Sequence, residues 1–383
     1  MPETLAELVM SRHVLVAVGA GGVGKTTTAA ALGVAAARRG RRVLCLTIDP
    51  ARRLAESLGM ERMSSEEQAV APELFARAGL PLEGSLTAMM LDTKRTFDEL
   101  VVKHSSTPER AKKLLENRLY KYVSTTLAGT QEYMAMEKLV AVQSDPRFDL
   151  VILDTPPTAN ALDFLDAPAR LADAIDSAAM RWFVQAFEST GKLSLNLLAR
   201  SAALVLRGLG KITGGDFLAA MAEFITELND LFGGFKQRAG MVEEALRSPE
   251  VSFVLVTSPA PMSIQEVLFF SERLEEAKMP RGAFVVNRFR VPPAGADAPP
   301  TVEDAAAAIA RDGLALEEDA PRRLVQAHGD AVRLASLDAH HVKALDGRAR
   351  AKVPIVRVPE LASDVHDLGN LGEVAEMLMR GGV

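Results

Sequence analysis

"HVLVAVGAGGVGKTTTAAALG", residues 13–33, runs a short apolar segment into a glycine cluster, continues with a lysine and three threonines, and then turns alanine-rich. The apolar run reads as a buried strand and the alanine-rich continuation as a helix. Between them Gly19–Thr26, "GAGGVGKT", fits the eight-position phosphate-loop pattern in the strand-then-helix context that gives the pattern its meaning. Glycines let backbone N–H groups turn inward on phosphate oxygens, and a helix beginning near Lys25 aims its positive end at them. The expected nucleotide contacts are Gly21, Gly22, Val23, Gly24, Lys25, Thr26 and Thr27. Lys25 would reach the β and γ phosphates of ATP, and the Thr26 hydroxyl would ligate Mg²⁺. The alternative is a glycine turn with no ligand.

Six further apolar runs follow: 42–49, 86–92, 148–154, 251–258, 282–288 and 352–359. Near-continuous apolar strands separated by helical patterns predict an α/β fold with a doubly wound, mostly parallel sheet. Residues 166–249 have helical periodicity and no strand signal. Within them Phe217, Met221, Phe224, Leu228, Leu231 and Phe235 recur at alternating steps of four and three, and Met180, Phe183, Val184 and Phe187 form a second stripe. The expected organisation is a nucleotide-binding domain of the P-loop NTPase type from 12–165 and 250–383, with an inserted helical lobe from 166–249 joined by part of 93–142. Beyond a Pro/Ala-rich loop at 291–301, the segments "VEDAAAAIARDGLALEED" and "PRRLVQAHGDAVRLASLDAHHVKALDG" read as helices.

Composition narrows the chemistry. With 383 residues, 48% of them hydrophobic, the chain can bury a full core, and its net charge of −6 provides no broad basic field for nucleic acid or an anionic membrane. Its one cysteine, Cys45, lies in an apolar run and reads as a buried structural thiol; a cysteine-built zinc or iron–sulfur site is excluded. His328, His340 and His341 read as solvated rather than metal-binding. No leader and no membrane span are evident, so a cytoplasmic location without stable membrane insertion is expected.

Phosphoryl transfer also needs a carboxylate for the metal and a group that orients water. Asp154 ends one apolar run and suits the metal role; Asp49 ends another and suits catalysis beside Lys25. In a doubly wound sheet ligands bind at the carboxyl ends of strands, which brings both toward the loop.

"GAGGVGKTTT", "TIDPARRLAESLG" and "DTPPTANALDFLDAP", in this order and spacing, resemble the arsenite-pump ATPase family, which includes the ATPases that target tail-anchored membrane proteins. The resemblance points to a bacterial member with a variant loop. It implies a dimer that sandwiches ATP, with Asp49 in the first switch, Asp154–Thr158 in the second and Asn287 of "VVNR" reading the adenine edge. The departures are specific. The family's second loop lysine, which reaches across the dimer, is here Ala20, which implies slow hydrolysis unless a cation such as Arg52 or Arg53 substitutes. Asn160 and Ala161 replace a His-Thr pair, and the cysteine-based metalloid and zinc sites cannot be built.

The leading expectation is an ATPase switch that captures and releases a partner through its lobe, as a homodimer or as a heterodimer with a related ATPase, with an apolar helix as client. Residue by residue, the apolar stripes read first as the lobe's own core, which a helical lobe needs whether or not it binds a client. A partition or positioning ATPase and a weakly hydrolysing regulatory subunit of a heteromeric pair are the alternatives.

Overall fold

The computed structural model describes residues 3–48, 53–60, 63–117, 120–121, 124, 130–155, 166–167, 224, 235–348 and 353–382. Its strands are β1 (Val14–Val18), β2 (Arg42–Thr47), β3 (Gln68–Ala69), β4 (Ser85–Met90), β5 (Leu150–Asp154), β6 (Val251–Thr257), β7 (Arg281–Phe289) and β8 (Ile355–Pro359). They form one sheet in the order β3-β4-β2-β5-β1-β6-β7-β8. Every apolar run expected to be a strand is one. The strand not expected, β3, is a two-residue antiparallel partner of β4, too short to carry a period. All other pairings are parallel.

The apolar continuity of β1 follows from its central place. Val14, Val16 and Val18 enter the core on one face, while Leu15 and Ala17 enter the core on the other, so both sets of alternate side chains must be apolar. The covering helices are α1 (Leu5–Ser11), α2 (Lys25–Ala37), α3 (Arg53–Ser57), α4 (Pro72–Arg77), α5 (Thr93–His104), α6 (Pro108–Glu116), α7 (Thr130–Gln143), α8 (Phe235–Leu246), α9 (Pro261–Glu276), α10 (Val302–Arg311), α11 (Ala320–Arg348) and α12 (Leu368–Arg380).

Helix α2 is alanine-rich because it is buried on nearly every side. It shares a core with α1, with Leu371, Val374 and Leu378 of α12, and with the sheet. A Cβ on its Gly33 would stand 2.6 Å from the Cys45 Sγ, so only glycine lets α2 approach β2 this closely. Burial pushes the Cys45 thiol up to about 12, in keeping with a structural role. The opposite core takes Met134, Met136 and Leu139 of α7 and Ile264, Val267 and Phe270 of α9.

At the amino ends of β2 and β5, Arg42 donates from Nε to Asp149 Oδ2 at 3.0 Å and from Nη2 to Oδ1 at 2.6 Å. These bonds, with a backbone N–H of Arg42, hold the Asp149 carboxyl down at about 2.

Two expectations need qualification. The helix expected over 302–319 ends at Arg311, because Gly313 turns left-handed with φ +66°, and α11 begins only at Ala320. Of the expected lobe, the described residues are 166–167, 224 and 235–249. Phe224 is buried in the core that also holds α7 and α9. Phe217, Met221, Leu228 and Leu231 lie outside the described residues, as do Met180, Phe183, Val184 and Phe187.

Candidate functional site

The sheet order places β1 between β5 and β6, with β7 next, so the carboxyl ends of four parallel strands converge where the chain leaves β1. The glycine loop occupies this point. Gly19 passes so close to β6 that a Cβ there would stand 2.0 Å from the Val256 carbonyl oxygen. Gly24 caps the start of α2 in the left-handed region, φ +94°, and a Cβ on it would meet Asn287 Nδ2 at 2.2 Å. Gly21 and Gly22 are exposed. Lys25, the first residue of α2, is 6% exposed, and its Nζ donates to the carbonyls of Gly19 and Ala20 at 2.9 Å each. The ammonium is thus folded across the mouth of the loop. Ala20 packs its methyl against the α2 core.

Below the loop, two hydroxyls converge on one buried carboxylate. Thr26 Oγ1 donates to Asp154 Oδ2 at 2.8 Å, and Thr47 Oγ1 donates to the same oxygen at 3.0 Å. Asp154 is 1% exposed at the end of β5. Thr155 follows it and ties back to the Ala17 carbonyl through its hydroxyl at 2.8 Å. Thr26 and Asp154 therefore stand together as expected. Thr47 escaped the sequence reading; its signal was a hydroxyl two residues before Asp49 in a strand otherwise apolar at that end. Asp49 lies outside the described residues, as do Arg52, Thr158, Asn160 and Ala161. Ile48 leads toward Asp49 with its N–H on the Asp154 carbonyl at 3.3 Å.

Two cavities open from this point. The first, about 510 Å³, is lined by Gly22, Gly24, Lys25, Thr26, Thr27 and Thr155, by Arg53, Glu56 and Ser57 of α3, and by Arg288, Asp364, Val365 and His366. The second, about 410 Å³, is lined by Asn287 and Arg288, by Val358–Leu361 and Ser363–Val365, and by Val374, with Gly24 and Thr27 at its edge. Asn287 donates from Nδ2 to the Val23 carbonyl at 3.0 Å, so it braces the glycine loop while forming a wall of the second cavity. Its Oδ1 is an acceptor of the kind an adenine amino group requires.

Arg288 takes φ +57°, a left-handed backbone that costs a non-glycine residue about 1–2 kcal/mol. The cause is local: β7 pairs Val286 with Arg357 and then Phe289 with Pro359, so two residues of β7 face one of β8. Neither Arg288 nor the 358–366 segment was singled out from the sequence. The segment carries no motif, and the bulge is a property of two strands rather than one.

The donor set fits a Mg²⁺–nucleotide complex. A buried lysine and left-handed glycines frame a concave loop at a helix start, hydroxyl and carboxylate oxygens lie together beneath it, and a recess with a braced amide adjoins them.

Among known proteins, the sequence model of the family described as anion-transporting ATPase matches residues 12–304. The chain is 24% identical over 281 residues to "ATPase GET3" of the fungus Malassezia globosa, covering 72% of each chain. It is 25% identical over 282 residues to "ATPase get3" of Sclerotinia sclerotiorum, covering 73% of each. Its likeness to "ATPase GET3B" of Arabidopsis thaliana is 26% over 302 residues, 73% of this chain and 64% of that protein. These relatives are eukaryotic, so the expectation of a bacterial origin gains nothing from them. The phosphate loop, its buried threonine–aspartate pair and a family match over most of the sheet converge on one identification: this nucleotide-binding chain belongs to the anion-transporting ATPase family and is an ATPase.

Proposed function

We propose that the chain is a Mg²⁺-dependent, dimeric ATPase switch, in which ATP binding and hydrolysis in a nucleotide domain built from 12–165 and 250–383 move a helical lobe spanning 166–249, so that a partner is captured and released. The observation that supports it best is the junction at Asp154, where the helix after the phosphate loop, through Thr26, and the end of β2, through Thr47, meet on one carboxylate oxygen. A change at the terminal phosphate is felt there by both strand ends that lead into the switch segments. Lys25 would swing from the loop carbonyls to the β and γ phosphates, and Thr26 and Asp154 would hold Mg²⁺, Asp154 partly through water. Mg²⁺, when bound, offsets charge on the phosphates. Asp49 would orient the attacking water as an acceptor, and Asn287 would meet the base. By the family resemblance the client is an apolar helix such as a tail anchor, taken up by helix-in-groove recognition.

The test is phosphate release by the purified protein, with Mg²⁺ and with EDTA, alongside sedimentation velocity with and without ATP. Asp49→Asn should bind ATP as wild type does, stay dimeric with ATP and release phosphate at under about 1% of the wild-type rate, as loss of a water-orienting group commonly does. Unchanged single-turnover hydrolysis in that variant refutes the assigned role.

Ala20 supports a second reading, a subunit whose site is completed by a related ATPase carrying the missing lysine. Ala20→Lys then separates the two. In a self-sufficient homodimer it raises turnover with little change in ATP affinity, since a cation supplied across an interface accelerates phosphoryl transfer. In a heteromeric pair, the wild-type chain is accelerated by the partner ATPase instead. Pelleting with DNA or anionic liposomes would favour a partition or positioning ATPase over both.

A further inference from the structure

The two cavities share a narrow waist formed by Gly24, Thr27, Arg288, Asp364 and Val365. Lys25 and the start of α2 mark where the terminal phosphates belong, and Asn287 marks the base end. Arg288 directly follows Asn287 in the chain and lines both cavities, so it stands between the base and the terminal phosphates. Two more observations bear on it. Its backbone is left-handed at the β7 bulge, a conformation that glycine or asparagine adopts with less strain. Its side chain is exposed and has no hydrogen-bond or ion-pair partner among the described residues. Structure that over-determines a strained residue, and then leaves its guanidinium with nothing to hold, marks the residue for a ligand. Acidic Asp364 faces the same waist, 3.9 Å from His366 Nε2, and lies beyond the phosphate loop rather than within it.

Resting on the reading of these cavities as the nucleotide site, we propose that Arg288 is a nucleotide-binding residue, supplied from within the same chain, that grips the phosphate next to the sugar. A planar guanidinium donates two parallel hydrogen bonds to one phosphate, which an ammonium at the same place cannot do. Arg288 then recognises a nucleotide by the phosphate that ATP, ADP and AMP all carry. Lys25 recognises the phosphates that AMP lacks.

Titration calorimetry with ATP, ADP and AMP on wild type, Arg288→Asn, Arg288→Gly, Arg288→Lys and Lys25→Ala tests the division. Arg288→Asn and Arg288→Gly should weaken all three nucleotides by one common factor of about tenfold, the scale of a charge-assisted bond to phosphate, leaving the ATP-to-ADP ratio unchanged. Arg288→Lys should recover part of the loss. Both strain-relieving variants should melt no lower than wild type, because the left-handed backbone suits their residues better. Lys25→Ala should weaken ATP and ADP and spare AMP. Arg288 variants that bind like wild type while Lys25→Ala fails overturn the proposal and leave the site reading intact. A loss confined to ATP overturns the placement by putting Arg288 on the terminal phosphate. Variants that lose melting temperature together with binding show a structural residue, which also overturns it. Lys25→Ala binding ATP as wild type does would sink the underlying site reading instead.

Discussion

The first cavity is made chiefly from chain segments that follow one another closely in sequence. The second is assembled from residues 24–27, 287–288, 358–365 and 374. The floor of the first is cross-braced: Lys25 is buried and bonded to loop carbonyls, and Thr26 of its lining donates to Asp154, a buried carboxylate that Thr47 also meets. The second is walled by Asn287 and Arg288 of β7, Val358 and Pro359 of β8, the segment that follows β8 and Val374, most of them exposed or half-exposed apart from Val358 and Val374. A phosphate looks the same in every nucleotide, and one contiguous loop at a helix start can meet it. A base needs a recess, and the recess proposed for it here depends on the pairing of two strands near the sheet edge.

The largest expected effect breaks the comparison from the first side. Lys25→Ala should lower ATP affinity more than 100-fold, about 3 kcal/mol, with a melting temperature within a few degrees of wild type, since the ammonium's bonds to the Gly19 and Ala20 carbonyls lie within the loop rather than in the core. Binding by calorimetry and melting by circular dichroism check both halves. Next comes the close approach of Gly24 to Asn287. Gly24→Ala places a methyl on Asn287 in a left-handed backbone, so denaturant unfolding should show a loss of about 1–3 kcal/mol, together with weaker binding.

A smaller effect sharpens the second side. Asn287→Ala removes a brace worth about 1 kcal/mol and the amide proposed to face the base. The preference for ATP over GTP should therefore shrink, while the Mg²⁺ dependence stays. Unchanged base preference would mean the recess is read by other groups.

The last effect is confined to alkaline pH and concerns Cys45, which lies in neither cavity. Its folded thiol titrates near 12 and an unfolded one near 9.0, so between these values the unfolded chain has lost a proton the folded chain keeps. Stability should fall as pH rises through that window, by up to about 1.4 kcal/mol per unit. Cys45→Ala should flatten this limb, and thiol reagents should label the wild type only on unfolding.

The same contrast explains what could be read in advance. Residues 13–33 announce strand, loop and helix in one pass, and each long strand announces itself by apolar continuity, because burial on both faces leaves few polar positions. Asp154 was legible as a strand-end carboxylate. Its meeting with Thr47 was not, because it depends on the parallel register that sets Thr47 opposite Asp154. The left-handed turn of Arg288 was hidden for a related reason: it arises from one extra residue on β7 relative to β8. The end of α10 at Arg311 was misread because the apolar pattern runs past a glycine that stops the helix.

The place of β1 in the sheet also governs when the protein can come into being as it is made. Val14 pairs with Val151 on one side and Val251 on the other. The ribosome has therefore finished the phosphate loop long before it has made either neighbour of the strand that carries it. At typical elongation rates the interval between residue 33 and the end of β6 at Thr257 lasts roughly 10–45 s. Until β5 is made β1 has neither neighbour, and until β6 is made one of its edges stays unpaired, a form suited to chaperones and prone to aggregate. The second cavity, proposed for the base, comes later still, since β8 ends at Pro359. Chains stalled anywhere before it should be blind to nucleotide, which makes tight ATP binding a mark of a completed molecule.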